Sequence, residues 1–421
     1  MKILHAVLGT ALAAYAIQDA GAADKPVATI PVQVKTGADT LPTKVETDGG
    51  ISVETMDGRA SFTLDGRLQY DTLFYNGIYN DASGDGASDT RVRRMRLGVG
   101  GELDPAWEWY FSIDVANDSG RATLDAGYLI YKGFSWTDIT AGRHKRPFYL
   151  EAMTSSKWIT TVERGLIFDV IRSHVTDFGI TASKLYDVGE SGKLSWYVAT
   201  ANEGVEDYAG GEEPTGRDHW QYFARAAWAP WAAKDSALHF GLALGEMNPA
   251  RLSTIDIGTK LGVSAASPVA VTYTIDEDRE AGLESAFVLG PFSAQAEYVM
   301  RMLDLSAGDS ADISGGYAQL TYTLTGESRQ YKPYPARMDK VAPSGEHAFG
   351  AIELVARYDD IELEQPGGAA TATANTITVG ANWYLTPHVL FKLNYLTTKA
   401  ENFGTANTDG DALTTRLAFV F

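Results

Sequence analysis

The stretch Ala412-Leu413-Thr414-Thr415-Arg416-Leu417-Ala418-Phe419-Val420-Phe421 decides the fold. Leu413, Thr415, Leu417, Phe419 and Phe421 fall on one face of a strand, and Thr414, Arg416 and Ala418 on the other. A period of two is the strand signal. The segment stops on an aromatic residue with no polar tail after it. In a soluble sheet such a strand leaves an adhesive edge. In a closed membrane barrel the last strand pairs with the first and no edge remains.

The other end of the chain agrees with export. Lys2 supplies a positive charge, Ile3 to Ile17 is mostly apolar, and Ala20-Gly21-Ala22 is a small-x-small cleavage site. Residues 1–22 read as a signal peptide, and residues 23–48, with no clear period, as a flexible periplasmic lead-in. The chain has no Cys, which excludes disulfides, thiol chemistry and a lipid anchor on cysteine.

From about residue 50 to the end, period-two segments recur. Trp107, Trp109, Phe111 and Ile113 alternate with Glu108, Tyr110, Ser112 and Asp114. Leu238, Phe240, Leu242 and Leu244 alternate with His239, Gly241 and Ala243, and Ile377, Val379, Ala381 and Trp383 with Thr378, Gly380 and Asn382. Loops such as Asn80 to Gly86 separate them. The expectation is an all-β transmembrane antiparallel barrel over residues 49–421, with on the order of 16 strands at about 20 to 25 residues per strand and loop. Such a barrel encloses an aqueous lumen. The terminal Phe421 is similar to the assembly signal of bacterial outer-membrane barrels.

The formal charge of -19 argues against nucleic-acid binding but conceals a basic island. Residues 91–172 hold 12 Lys/Arg against 10 Asp/Glu. Arg93, Arg94 and Arg96 open one strand; Arg143, Lys145 and Arg146 close another, and Lys157 and Arg164 follow in a stretch without clean alternation. If Met95, Leu97 and Val99 face lipid, Arg94 and Arg96 face the lumen. Strict alternation then puts Arg93 against lipid, unless it lies at the rim or a bulge turns it inward. Arg67 is on the polar face, with Asp65 and Gln69, and so is Arg416. Pores that pass anions line a constriction with Arg or Lys, and Arg matches oxyanions with its forked donors.

Five stretches, in order, carry a family pattern: Asp65-Gly66-Arg67-Leu68-Gln69; Arg93-Arg94 with Gly100-Gly101; Thr154-Ser155-Ser156-Lys157-Trp158 with Glu163-Arg164; Phe292 to Tyr298; and Leu324-Thr325-Gly326-Glu327. From about Val45 to Phe421 the chain resembles the phosphate-selective porin (O/P) family. The resemblance implies a 16-stranded outer-membrane barrel, a homotrimer, and a loop containing Thr154 to Arg164 folded into the lumen. It implies an anion site at Arg67, Arg93, Arg94, Asp125, Ser155, Ser156, Lys157 and Arg164, with Arg96, Lys145 and Arg146 as additional basic lining. The chain also departs from the pattern. Ala152 stands where the family has a lysine before Thr-Ser-Ser. Only Arg251, Lys260 and Arg279 stand in the stretch of an extracellular arginine ladder, and Glu46, Asp48 and Thr63 replace periplasmic lysines.

The expected function is a water-filled, anion-selective pore for phosphate or related oxyanions such as pyrophosphate and polyphosphate. The alternatives are a general diffusion pore of weak anion preference and a non-channel structural barrel. Expected partners are small anions, lipopolysaccharide, outer-membrane lipid and the barrel-assembly machinery; no cofactor or metal is implied. An enzyme is disfavoured. His5, His144, His174, His219, His239, His347 and His388 are scattered, and no phosphate loop or His-Glu-x-x-His helix occurs.

Overall fold

The computed structural model describes residues 30–36, 39–46, 51–55, 58–80, 86–116, 122–171, 176–202, 220–248, 253–259, 262–263, 269–306, 308–403 and 408–421. The expected signal peptide, Arg251 and Lys260 lie outside them. Sixteen antiparallel strands form a closed ring. In chain order they are β1 Ser61–Tyr75, β2 Ala87–Glu102, β3 Trp107–Asp114, β4 Thr123–Tyr131, β5 Asp138–Lys145, β6 Thr176–Val188, β7 Gly192–Asn202 and β8 Trp220–Ala233. The second half comprises β9 Ser236–Asn248, β10 Val269–Leu289, β11 Phe292–Leu305, β12 Ser310–Thr323, β13 Ala351–Leu363, β14 Ala372–Tyr384, β15 Val389–Glu401 and β16 Asp409–Val420. Each pairs with its neighbours in sequence, and β16 closes the ring on β1, from Ala412↔Tyr75 to Val420↔Arg67. The closing strand read from the sequence therefore closes the barrel.

Closure continues one residue past the ladder. Gly66 donates its N–H to Phe421 O at 2.8 Å, and Phe421 returns one to Gly66 O at 3.2 Å. A Cβ on Gly66 would sit 2.5 Å from the Phe421 ring and 2.8 Å from Arg96 O, so this approach requires glycine. The wall is apolar outward and polar inward. On β9, Leu242 and Leu244 are 48% and 52% exposed while His239 and Ala243 are buried. Toward the short-turn end the outer face carries aromatic contacts, among them Trp107–Tyr131, Tyr131–Phe134, Phe134–Trp136 and Phe419–Phe421. Such a ring belongs at the edge of a hydrocarbon layer.

Among the described residues, two connections that fold inward frame the site. Residues 146–171, which follow β5, carry the short helices α1 Leu150–Met153 and α2 Ile167–Val170. Side chains of the β11–β16 wall hold this loop. Glu297 accepts the N–H groups of Leu150 and Glu151 at 2.6 and 2.9 Å, and Arg357 grips Glu151 at 2.7 and 3.0 Å. Asn382 donates to Thr160 O at 2.9 Å, and Asn394 accepts the Val162 N–H at 2.7 Å. Inward strand polarity thus satisfies loop backbone that would otherwise be buried without partners. Above it, Leu166, Ile167, Phe168 and Val170 pack on Val299, Leu303, Ile313 and Ile361.

The second insertion was not foreseen. Residues 324–350 lie at the end where every other connection is a short turn, and they form a hairpin of Arg329–Lys332 with Arg337–Val341. Its seat is the β6–β10 wall, where Ser183 and Tyr334 share a 2.9 Å hydrogen bond and Arg225 donates to Pro335 O and Ala336 O at 3.0 and 2.8 Å.

Ahead of the ring, Ile30–Thr36 and Asp39–Glu46 pair as a hairpin. That hairpin joins Ile51–Thr55, which pairs with the first residues of β1 just beyond the point where β16 ends. The first strand of the ring begins at Ser61.

Candidate functional site

With the loop held against β11–β16 and the hairpin against β6–β10, the remaining passage runs along β1–β5. Two irregularities in the sheet shape this wall. Gln69 pairs with Arg94 and Tyr70 with Val92, which leaves Arg93 as an extra residue in β2. Val92 and Met95 face outward, 46% and 50% exposed, and both arginines between them turn inward. A second bulge lies in β4: Ser112 pairs with Ala126 and Ile113 with Leu124, so Asp125 is the extra residue. It turns inward to accept from Ser112 Oγ at 3.2 Å and to pair with Arg96. Bulges of this kind re-aim single side chains at functional positions.

The basic residues fall into two groups by what they touch. In the first, every cation meets a carboxylate. Arg93 binds Glu163 with two prongs, at 2.9 and 3.3 Å. Arg94, buried, reaches Glu163 at 3.4 Å and Gln69 Oε1 at 3.1 Å. Arg416 clasps Asp71 at 2.7 Å with both prongs and Glu163 at 2.6 Å. Burial alone pushes the Glu163 carboxyl up, but Arg93, Arg94 and Arg416 outweigh it and hold the group well below the usual carboxylate range. These three arginines therefore anchor the loop. Arg96 is balanced by Asp114 at 2.6 Å and by Asp125, and Lys157 by Asp65 at 3.1 Å.

In the second group, the hydrogen bonds seen among the described residues go to neutral acceptors. Arg67 donates to Ser155 Oγ at 3.4 Å, Lys145 to Ala152 O at 2.6 Å, and Arg164 to Glu151 O and Thr154 O at 3.2 and 2.8 Å. A carbonyl or hydroxyl orients a cation without cancelling its charge; Asp125 and Asp114 act on Arg67 from nearby, and Glu151 and Glu163 on Arg164. Arg337, from the hairpin, has no carboxylate partner among the described residues, and its buried Nε has no hydrogen-bond partner among them. Burial lowers the Lys157 ammonium below the usual lysine range; Asp65 opposes this, and Arg67 and Arg337 add to it.

Two expected positions are corrected. Arg146 does not line the passage: it is buried, paired with Asp177 at 2.8 Å and stacked over the Phe223 ring. Arg416 points inward as its parity predicts, yet it is sealed behind the loop. Ser155 faces Arg67, whereas Ser156 is buried and its carbonyl accepts from Gln69 at 2.9 Å. The sequence reading did not single out Glu163 as a site residue, nor Asp65, Asp114 or Arg337. For Arg337 a signal was available: the interval between Thr323 and Ala351 is too long for a turn and carries Pro333, Pro335 and Pro343.

Residues 62–421 match the family model described as phosphate-selective porin O and P. Porin O of Pseudomonas aeruginosa is 32% identical over 425 residues, covering 91% of this chain and 93% of the relative. A protein of Caulobacter vibrioides is 26% identical, over 84% of this chain and 71% of its own length. Among solved structures, an anion-selective porin from Comamonas acidovorans superposes with a TM-score of 0.54 at 11% identity, over 86% of this chain and 100% of that one. The outer-membrane channel DcaP of Acinetobacter baumannii gives 0.53 at 10% identity, over 87% and 99%. At these identities the structural likeness speaks for the barrel fold.

Proposed function

The chain belongs to the phosphate-selective porin O and P family, and from that premise we propose that it forms a water-filled, anion-selective channel in the bacterial outer membrane, passing phosphate or related small oxyanions. One observation carries the reading: Arg67, Lys145 and Arg164 converge on the passage and, among the described residues, hydrogen-bond to neutral acceptors. None of the three is tied up in a direct ion pair among the described residues, so each can meet a mobile anion.

An oxyanion reaching the passage exchanges part of its hydration for hydrogen bonds from these groups. Ser155, on the same loop, adds a hydroxyl donor. Lys157 contributes a charge tempered by Asp65. Arg93 and Arg94 act one step back, holding the loop through Glu163, and Asp125 fixes Arg96. A single charge-assisted hydrogen bond is worth about 1.5 to 3 kcal/mol, so several at full strength would trap the ion. The interleaved carboxylates Asp65, Asp114 and Asp125 lower that grip, as conduction requires.

A second reading, a channel of weak anion preference, draws support from the same carboxylates, because they cancel Arg96 and Lys157. Phosphate titrated into chloride across a planar bilayer separates the two. Block of the chloride current supports an oxyanion site; an unaltered current leaves general anion selectivity. Residues 1–22 as signal peptide, the following segment as periplasmic, and three copies per assembly complete the proposal; cross-linking of the detergent-solubilised protein tests the last.

A further inference from the structure

We propose that Tyr110 and Tyr128 form a flat platform beside the cations of the passage, and that this platform selects oxyanions carrying a planar apolar group, such as aryl phosphate monoesters. The proposal rests on the anion-channel reading and adds to it a ligand class.

Alternation places both rings inside the barrel. On β3, Trp107 and Phe111 face outward and are exposed, which turns Tyr110 inward with Glu108, Ser112 and Asp114. On β4, Leu129 faces outward, and its neighbour Tyr128 turns inward. The two tyrosines are directly opposite in the β3–β4 ladder. Their ring centroids lie 5.6 Å apart, with an interplanar angle of 34°. Both stay half-buried, in the part of the interior that the loop and the hairpin leave open.

Two glycines of β2 let the platform lie flat. A Cβ on Gly98 would collide with the Tyr110 hydroxyl, and one on Gly100 would come within 2.8 Å of its Cδ2. Because neither side chain is there, the ring covers both positions along the strand. One ring face then rests on β2 and the other fronts the passage. The Tyr110 hydroxyl donates to Asp65, which pins the ring. Tyr128 is met in turn by the His144 ring, at 6.2 Å and 70°.

The cations stand one step along the same wall. Asp65, which holds Tyr110, also binds Lys157 at 3.1 Å. Arg67 is two residues further along β1 and is an electrostatic neighbour of Tyr110. Two residues of strand span about 7 Å, comparable with the length of a phenyl ester. An oxyanion held by Arg67 and Lys157 can therefore lay an attached ring on the tyrosines. Offset aromatic pairs gain more than burial alone supplies, whereas inorganic phosphate has no group to place there.

The test compares methyl and phenyl phosphate as blockers of chloride current through the full-length channel in planar bilayers. At about pH 8 both monoesters are dianions, so charge does not separate them. Phenyl phosphate should half-block at a concentration about fivefold lower than methyl phosphate. Y128L and Y110L should each bring the two concentrations together, and Y128F should keep them apart. Leucine retains apolar bulk, so a preference that survives in both leucine variants does not come from stacking and would overturn the platform. Equal block by the two esters in wild type would overturn it without any variant, and would leave the channel reading intact. A cation-selective wild type would instead defeat the channel reading, and the platform with it.

Discussion

Glu163 on the lumen loop receives Arg93 from the barrel wall in a two-pronged ion pair, Nε to Oε1 at 2.9 Å and Nη2 to Oε2 at 3.3 Å. The pair exists because a bulge turns Arg93 inward beside Arg94. Two adjacent arginines of the family pattern thus both meet the same carboxylate of the loop.

Breaking that clamp should change the loop before it changes the ion. Removing one partner of a buried pair costs about 3 to 5 kcal/mol, and E163Q leaves Arg93, Arg94 and Arg416 without their shared anion. Single-channel records of E163Q should show larger, noisier openings than wild type. Quiet openings of wild-type size would mean that the loop is held by its other anchors alone.

Acid should act through the same carboxyl. Arg93, Arg94 and Arg416 depress it against the upward push of burial. A depressed carboxyl contributes stability that is present above the unfolded value, about 4.3, and is lost only as pH falls through the lower folded value. Conductance should therefore be steady from neutrality down through about pH 4 and become noisy only in stronger acid. Loosening already at pH 5 to 6 in bilayer recordings would contradict this.

Alkali should act through Lys157. Its ammonium is held below the usual lysine range, by burial first and by Arg67 and Arg337. Raising the pH should weaken anion preference before the free-lysine value of about 10.4 is reached. K157M should shrink that alkaline loss in reversal-potential measurements; an undiminished loss would assign it to another group.

Closure of the ring depends on Gly66. A methyl there meets the Phe421 ring at 2.5 Å and Arg96 O at 2.8 Å. Overpacking of this kind costs about 1 to 3 kcal/mol, so G66A should lower the temperature at which the folded barrel converts to the slower-migrating unfolded form on gels. An unshifted transition would show that Phe421 can move aside.

Much of this molecule was legible from period two alone, because a membrane barrel imposes that period on every strand: the alternation around Trp107, Leu238 and Ile377, and the closing strand at Ala412. The bulge at Arg93 was one of two ways to keep a charge off the lipid, and it is the one found. Asp125 gave no such warning, since a carboxylate on a short strand can sit near a rim. Arg146 and Arg416 show the limit of parity. Both point inward, but a folded-in loop divides the interior into packed and open halves, and only through-space contacts tell which half a side chain enters. Glu163 meets Arg416 across 253 positions of chain, a separation no local pattern encodes.

The central claim is that Arg67 and Arg164 give the passage its charge because they are oriented by neutral groups, while Arg94 is spent on the loop. The zero-current potential across a planar bilayer under a potassium chloride gradient tests it most directly. Wild type should take the sign of chloride permeation. R67A and R164A should each move the potential toward zero, and R94A should move it less than either. A wild-type potential of the cation-selective sign, or an R94A shift exceeding both others, would contradict the account.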